Sequence, residues 1–111
     1  SNKNIYEVKY GFIFGKGVNL SGCDLSGLNL SDMDLTGVDF TSANLTSTNL
    51  INSILTGIDL SNADMSMSTL TGVYSGDILG IPSNIDAVFT WGKDGKTYFF
   101  KDQYYYRFND K

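Results

Sequence analysis

Carboxylates are the side chains whose catalytic use is considered first, because the chain has no His and a single Cys, Cys23. Without His, Ser-His-Asp catalysis, Cys-His catalysis and His-based metal sites are excluded. One Cys forms neither a zinc cluster nor an internal disulfide, and we expect Cys23 to be a small buried hydrophobe rather than a reactive thiol. Paired carboxylates could still perform glycosidase-like chemistry, so the placement of the acidic residues decides the question.

The acidic residues are concentrated in the middle of the chain. Residues 18–77 carry seven Asp and no Lys, Arg or Glu. Residues 1–17 have a net charge of +2 and residues 78–111 of +1, which with −7 gives the total of −4. Lys and Arg supply most of the affinity for phosphates, so an acidic middle argues against direct nucleic-acid binding.

This acidic middle has a five-residue period. An apolar residue, hereafter the centre, occupies every fifth position from 20 to 70. The residue two before each centre is mostly small or apolar, and the residue just before it is mostly Asp or Asn. Ser or Thr usually follows the centre, and Gly, Asn or Asp comes next in eight of eleven repeats. The centres are Leu20, Leu25, Leu30, Leu35, Phe40, Leu45, Leu50, Leu55, Leu60, Met65 and Leu70.

A five-residue period predicts extended chain with a corner after each short strand. On an α-helix the centres would advance by about 140° per repeat, so no stripe would form. Four such sides close a square coil, with residues twenty apart stacked at about 4.8 Å. The outward Asp and Asn columns are expected to hydrogen-bond between coils. Gly, Asn and Asp tolerate the positive φ of a type II turn, so a different turn is predicted at Ser42, Ser47 and Met67.

The segments 18–22, 23–27 and 43–47 resemble pentapeptide-repeat proteins, whose consensus is Ala-(Asp/Asn)-Leu-X-X. The resemblance covers about half of the chain and implies a right-handed quadrilateral β-helix of just under three coils. So short a coil must have its ends covered, so the flanking segments are expected to be obligatory parts of the fold. Residues 4–14 alternate, with Tyr6, Val8, Tyr10, Phe12 and Phe14 on one side, and predict a single N-terminal capping strand with one buried face.

Residues beyond the repeats predict an antiparallel sheet. Strands are expected at 85–91, 96–101 and 103–109, with Asp94-Gly95 in a hairpin turn. Nine of the fifteen aromatic residues lie between Phe89 and Phe108. The whole chain is thus predicted to be all-β, with an N-terminal strand or cap (1–17), a β-helix (18–75), a linker (76–84) and a sheet (85–111). Either strand 5–14 pairs with this sheet, or a second copy of the chain does.

The segments 85–89, 95–101 and 104–108 resemble a haemopexin-type repeat. The family joins four such blades into a propeller, whose axial backbone carbonyls can hold a cation. The resemblance would place that cation near Ile85, Asp86 and Ala87, but only if several blades assemble. One blade with three of its four strands does not carry that site alone, so no metal, cofactor or catalytic residue is assigned.

The outside of the coil carries three apolar residues where polar ones are expected. Neighbouring exposed apolar residues often mark contact surfaces, although a flanking segment could equally cover them. The aromatic sheet is the second candidate contact surface. The candidate interaction residues are Ile51, Ile54, Met67, Trp91, Tyr104 and Tyr106.

These features favour a non-catalytic structural or protein-interaction module, with the β-helix as platform or spacer and the sheet mediating oligomerisation or binding of a protein. Resemblance to secreted and toxin-associated proteins adds a larger parent protein as the setting, and the location stays open between cytoplasmic and secreted. No membrane span is expected, because no run of about 18 apolar residues exists. One alternative is an acidic mimic of duplex DNA that acts on gyrase, for which the coil is too short. The other is a small lyase or hydrolase, which needs a concave carboxylate pocket.

Overall fold

The computed structural model describes residues 6–74 and three strands at 87–91, 96–101 and 104–108. The strands, in chain order, are β1 (Glu7–Lys9), β2 (Phe12–Phe14), β3 (Ala87–Trp91), β4 (Lys96–Lys101) and β5 (Tyr104–Phe108). These described residues contain strands, bridges and turns without any helix, and hence no helix long and apolar enough to cross a bilayer. The predicted linker at 76–84 lies outside them.

The five-residue repeats form a β-coil with a twenty-residue pitch. Parallel bridges join residues twenty apart, from Asn19 with Asp39 to Ile54 with Tyr74. Each bridge is flanked by two hydrogen bonds: Leu20 N–H donates to Asp39 O at 2.8 Å, and Asp39 N–H donates to Val18 O at 3.0 Å. One coil therefore contains four repeats, which we call sides. The first side begins at residues 18, 38 and 58, and the fourth at residues 33 and 53.

Each side ends in a corner of the same kind. The residue two after every centre has a positive φ, between 57° and 73°, whatever its type. The N–H beyond it returns to the carbonyl of the centre, as from Ala43 to Phe40 at 2.9 Å. The prediction of different turns at Ser42, Ser47 and Met67 was therefore wrong, because φ is 60°, 57° and 60° there. The pairing of neighbouring coils holds these residues in a conformation that their side chains disfavour.

All eleven centres lie in the core, with at most 3% of their surface exposed, and Phe40 is fully buried in the middle coil. The second inward residues are buried from Met33 onward, whereas in the first coil Val18, Cys23 and Leu28 are only partly buried against the core. Cys23 was predicted to be a small buried hydrophobe; it is a free cysteine that packs against the core but is only partly buried. The first coil has no preceding coil to cover this row.

Two inward positions carry hydroxyl groups that bond to the preceding coil. Thr48 Oγ1 donates to Leu25 O at 2.9 Å, and Ser53 Oγ donates to Leu30 O at 2.7 Å. Both side chains are fully buried. A buried hydroxyl without a partner would destabilise the core, so these hydrogen bonds allow polar residues inside the coil.

The N-terminal segment is a hairpin, and the prediction of a single strand with one buried face was wrong. Strands β1 and β2 pair antiparallel, with Val8 opposite Ile13. Tyr10 and Gly11 both have positive φ, 56° and 80°, as a two-residue type I′ turn requires. Folding back at Tyr10 leaves only Phe12 and Phe14 against the core, with Phe14 1% exposed.

The C-terminal strands form one antiparallel sheet in the order β3-β4-β5. Its register aligns Val88, Phe99 and Tyr106 across the sheet. The next row aligns Ala87 with Phe100 and Tyr105. Three strands were predicted within about two residues of these bounds. The turn predicted at Asp94-Gly95 lies outside the described residues.

Candidate interaction surface

The outward Asp and Asn side chains are bonded within their own repeats. Asp24 Oδ1 accepts hydrogen bonds from the Ser26 hydroxyl at 2.7 Å and the Ser26 N–H at 3.1 Å. The same contact to the residue two positions on recurs around the coil. The hydrogen bonds between coils that were predicted for these columns are not the ones observed. An Asx turn explains why, because the oxygen reaches the N–H of the corner just ahead of it.

These hydrogen bonds keep three carboxyl groups acidic. The Ser26 hydroxyl, and then its N–H, hold the pKa of Asp24 below its ordinary value, and Thr41 does the same for the pKa of Asp39. Desolvation is the largest influence on the pKa of Asp34 and raises it, but the bonds from Thr36 and the Lys16 ammonium together lower it. A general acid needs a raised pKa, so these three carboxylates are suited to capping turns rather than to proton donation.

The fourth side differs from the other three on its outer surface. The position before the centre is Asp34, Ile54 and then Tyr74, stacked through parallel bridges. At Ile54 an apolar side chain stands where an Asx residue would cap the next corner. Ile54 is half-buried and Tyr74 is 47% exposed. Tyr74 was not among the predicted interaction residues, although it lies twenty residues after Ile54 and the five-residue period predicts an outward position there.

The predicted apolar group on the coil is only partly assembled. Ile51 and Ile54 flank the corner at the end of the third side, and both are half-buried. Met67 belongs to another corner column, with Gly27 and Ser47, and is 73% exposed. Two of the three predicted coil residues therefore lie at one corner, and Met67 does not join them.

A recess of about 250 Å³ lies where the hairpin meets the fourth side. Phe14, Gly15 and Met33 provide its apolar lining, and the carboxylates of Glu7, Asp32 and Asp34 provide its acidic lining. We call it the acidic recess. Lys16 Nζ approaches Asp34 Oδ2 at 3.6 Å on the surface. The described residues contain no group of three His, Cys, Asp or Glu residues placed to hold a metal ion.

Four of the six large apolar or aromatic side chains that are exposed in residues 6–74 lie on the hairpin. Val8 is 76% and Ile13 55% exposed, and the two face each other across the strands. Tyr6, two residues before Val8, is 51% exposed, and its hydroxyl donates to Lys16 O at 3.5 Å. We call these three residues the hairpin outer face. Strand alternation predicted Tyr6 and Val8 on the buried side, and the turn at Tyr10-Gly11 places them on the exposed side instead.

The predicted interaction residues of the sheet occupy two strands. Trp91 ends β3 opposite Lys96, while Tyr104 and Tyr106 lie on β5 opposite Lys101 and Phe99. The predicted axial cation site near Ile85, Asp86 and Ala87 lies outside the described residues except for Ala87. It stays a prediction that depends on the assembly of several blades.

Comparison with known families gives two matches on separate parts of the chain. The model of the family described as pentapeptide repeats matches residues 16–50 and 39–74, with eight copies. The haemopexin model matches residues 85–111. A search of curated proteins with this chain finds no match. The first family covers more than half of the 111 residues and agrees with the observed twenty-residue coil, so the chain belongs to the pentapeptide-repeat family.

Proposed function

We propose that this chain is a non-catalytic protein-interaction module. Its coil, a right-handed quadrilateral β-helix, is a rigid platform, and its β3–β5 sheet, arranged as a haemopexin-type blade, binds a second copy of the chain. Pentapeptide-repeat and haemopexin-like families are generally non-catalytic. The observation that carries the non-catalytic part of the proposal is that the coil carboxylates cap corners, as Asp24 does for Ser26. The self-association part is argued from the sheet below.

The chemistry of the coil supports a platform rather than an enzyme. Asp24, Asp34 and Asp39 have lowered pKa values, as turn caps do. The acidic recess has carboxylates but is shared between the hairpin and a corner. An enzyme using two carboxyl groups needs one held protonated and one ionised near each other. None of the shifts resolved on the coil carboxylates goes in the direction that such an acid requires.

The sheet is the part suited to binding another copy. Residues in register share a face, and side chains alternate along each strand. Tyr104 and Tyr106 fall on one face with Phe99 and Val88, and we call it the tyrosine face. Among the described strands β5 is an edge of the sheet, and an edge strand can pair with another chain. Aromatic residues are enriched in protein interfaces and bury large areas there.

Sedimentation equilibrium of the full chain from low to high micromolar concentration tests this function. We expect a dimer for the natural chain and a monomer for Tyr104→Thr/Tyr106→Thr, in which Thr preserves strand propensity. Met67→Asn is the matched control, because it removes an exposed apolar side chain from the coil instead, and it should remain a dimer. A natural chain that stays monomeric at high micromolar concentration would overturn self-association, and a dimeric double variant would overturn the tyrosine face.

A further inference from the structure

One corner of the coil carries a long side chain in a backbone conformation that disfavours it. Met67 lies two residues after the centre Met65, and its φ is 60°. The other corners of the coil are occupied by Gly, Asp, Asn or Ser, whose side chains are short or absent. Residues held in a disfavoured conformation often have a functional reason for their side chain. Met67 is therefore the corner at which a role for the side chain itself is expected.

Packing does not account for the Met67 side chain. It is 73% exposed, and the corner residues stacked on it in the preceding coils are the small Ser47 and Gly27. The hydroxyl groups of Ser66 and Ser68, on either side of it in the chain, both donate to groups of the coil itself. One apolar side chain among polar ones is too small a surface for a stable protein interface. What distinguishes this position is thus the thioether group.

The chain has three Met residues, and the other two are buried in the core of the coil. Met33 is 9% exposed and Met65 is 1% exposed. Oxidation of a sulfur atom by a peroxide requires that the oxidant reach it. A buried Met is reached only when the surrounding structure opens, whereas the sulfur of Met67 is open to solvent in the folded chain. The three thioethers therefore share their chemistry and differ in their access to an oxidant.

We propose that Met67 is a reversible modification site, at which a hydroperoxide oxidises the thioether to the sulfoxide while the coil stays folded. The sulfur lone pair attacks one oxygen of hydrogen peroxide, so that the O–O bond breaks and an S–O bond forms. The sulfur is oxidised by loss of an electron pair, and the peroxide is reduced. The leaving hydroxide takes the proton of the transferred oxygen and departs as water.

The exposure of Met67 also explains why the coil should tolerate its oxidation. The sulfoxide is more polar than the thioether, and at this corner its oxygen is solvated by water without loss of a core contact. The same change at Met65 would place an unpaired polar oxygen in the core, which destabilises a fold. Sulfoxide reductases restore the thioether. The inference does not depend on self-association, because Met67 is on the coil and the proposed dimer is formed by the sheet.

Oxidation of the full chain by hydrogen peroxide tests the site. Residues 18–77 contain no Lys or Arg, so the treated chain is cleaved before Asp, and fragmentation of the peptides in a mass spectrometer distinguishes Met65 from Met67. In the folded chain we expect Met67 to gain oxygen at least about tenfold faster than Met65. The far-ultraviolet circular dichroism should stay unchanged. Equal rates at the two residues, or loss of the circular dichroism signal once Met67 is oxidised, would overturn the proposal.

Two controls separate access from intrinsic reactivity. In concentrated urea the protection by folding is removed, and Met33, Met65 and Met67 should be oxidised at similar rates. Met67→Leu keeps an exposed apolar side chain of similar volume and removes the sulfur. The folded variant should gain no oxygen on Met during the time in which Met67 of the natural chain is converted. Oxidation of Met33 or Met65 in the folded variant at the natural rate of Met67 would overturn the assignment to this corner.

Reduction of the oxidised chain tests whether the modification is reversible. The folded, oxidised chain is incubated with the methionine sulfoxide reductases for both epimers and a thiol reductant. We expect Met67 to lose its added oxygen, since the sulfoxide is exposed at a corner. Sulfoxide at Met67 that both enzymes leave in place, while they reduce free methionine sulfoxide in the same solution, would overturn reversibility. A natural chain that stays monomeric would refute the proposed dimer and leave these oxidation rates unaffected.

Discussion

The coil and the hairpin are both short β structures, yet they differ in what their side chains contact. Every centre of the coil is buried, and nearly all of its outward Asp and Asn residues are bonded to the corner ahead. The hairpin buries Phe14 and leaves Val8 and Ile13 largely in water. The apolar centres of the coil thus all face a core, whereas the apolar residues on one face of the hairpin face water. The coil thus buries its apolar centres and bonds its outward polar groups, while the hairpin leaves one apolar face exposed among residues 6–74.

The difference follows from how each structure pairs its backbone. A residue in the middle coil has a neighbour on both sides, twenty residues before and twenty after, as Asp39 has in Asn19 and Asp59. Each strand of the hairpin has one partner only. Pairing on two sides keeps a conformation in place even where the side chain disfavours it, as at Ser42, whose corner is bonded to the coil before it and to the coil after it. The hairpin turn instead needs Gly11 beside Tyr10.

The largest effect should come from removing a ring at the centre of the coil. Phe40→Ala should lower the free energy of unfolding by about 3–5 kcal/mol, because the cavity is enclosed on all sides. Phe14→Ala should cost roughly 1 kcal/mol less, since the hairpin can settle into the space. Urea denaturation followed by far-ultraviolet circular dichroism measures both. Phe40→Leu, which matches the other centres, should cost under about 1.5 kcal/mol. Equal costs for both Ala variants would break the contrast between coil and hairpin.

A smaller effect is expected at a corner where Gly has positive φ. Gly37 has φ 72°, and a Cβ there would lie 3.9 Å from Gly17 Cα, an ordinary contact. The cost of Gly37→Ala is therefore conformational, about 1–2 kcal/mol in the same denaturation experiment. Gly37→Asn should cost clearly less, because Asn tolerates this conformation. If both variants are equally destabilised, steric contact and not φ decides the residue at the corner.

The opposite sign is expected at Met67, which has the same φ without being Gly. Met67→Asn should raise the free energy of unfolding by about 0.5–1 kcal/mol, since it relieves a disfavoured conformation at an exposed position. Met67→Leu should leave stability unchanged, because it retains both the exposure and the φ. A stabilised Leu variant would contradict backbone strain as the cause.

The smallest effect concerns the protonation of a turn cap. The pKa of Asp39 is lowered in the folded chain, so its contribution to stability is present above about pH 4 and lost as pH falls through the lowered value. Asp39→Asn keeps an acceptor oxygen and removes this titration. Its stability should therefore fall less than that of the natural chain between neutral and strongly acidic pH. Urea midpoints at several pH values measure this, and parallel curves would contradict the pKa shift.

The sequence predicts the coil well because a five-residue period of apolar residues is compatible with few chain geometries. Leu at every fifth position can face inward only if the chain turns regularly, so the centres, the stacking of Asp39 over Asp59 and the approximate strands of the sheet were all predicted. The corners show a limit of residue preference. Pairing between coils imposes positive φ at Ser42, Ser47 and Met67. The conformational preference of a single residue type does not include the effect of this pairing, so it predicted a different turn.

The candidate surface was predicted less well, for a related reason. Alternation from Tyr6 to Phe14 is compatible with one strand or with two, and Tyr10-Gly11 lacks the Asn-Gly or Asp-Gly signal of a type I′ turn. Which of these residues face water therefore depended on a turn that their residue types do not predict. Ile51 and Ile54 were recognised because they interrupt a strict pattern. Tyr74 was missed because the run of apolar centres ends at Leu70, so no centre follows position 74 to mark it as an outward position.

Because the parallel bridges join residues twenty apart, the number of repeats determines the side on which the chain leaves the coil. Adding a whole coil of twenty residues would lengthen the body by about 4.8 Å and leave the exit at Tyr74 on the same side as Asp34 and Ile54. Adding a single repeat of five would move that exit to the neighbouring side, so the C-terminal sheet would be presented in a new direction. Gain or loss of repeats would thus change the relative orientation of the segments attached to the two ends of the coil. The kinds of residue packed in the core would stay the same.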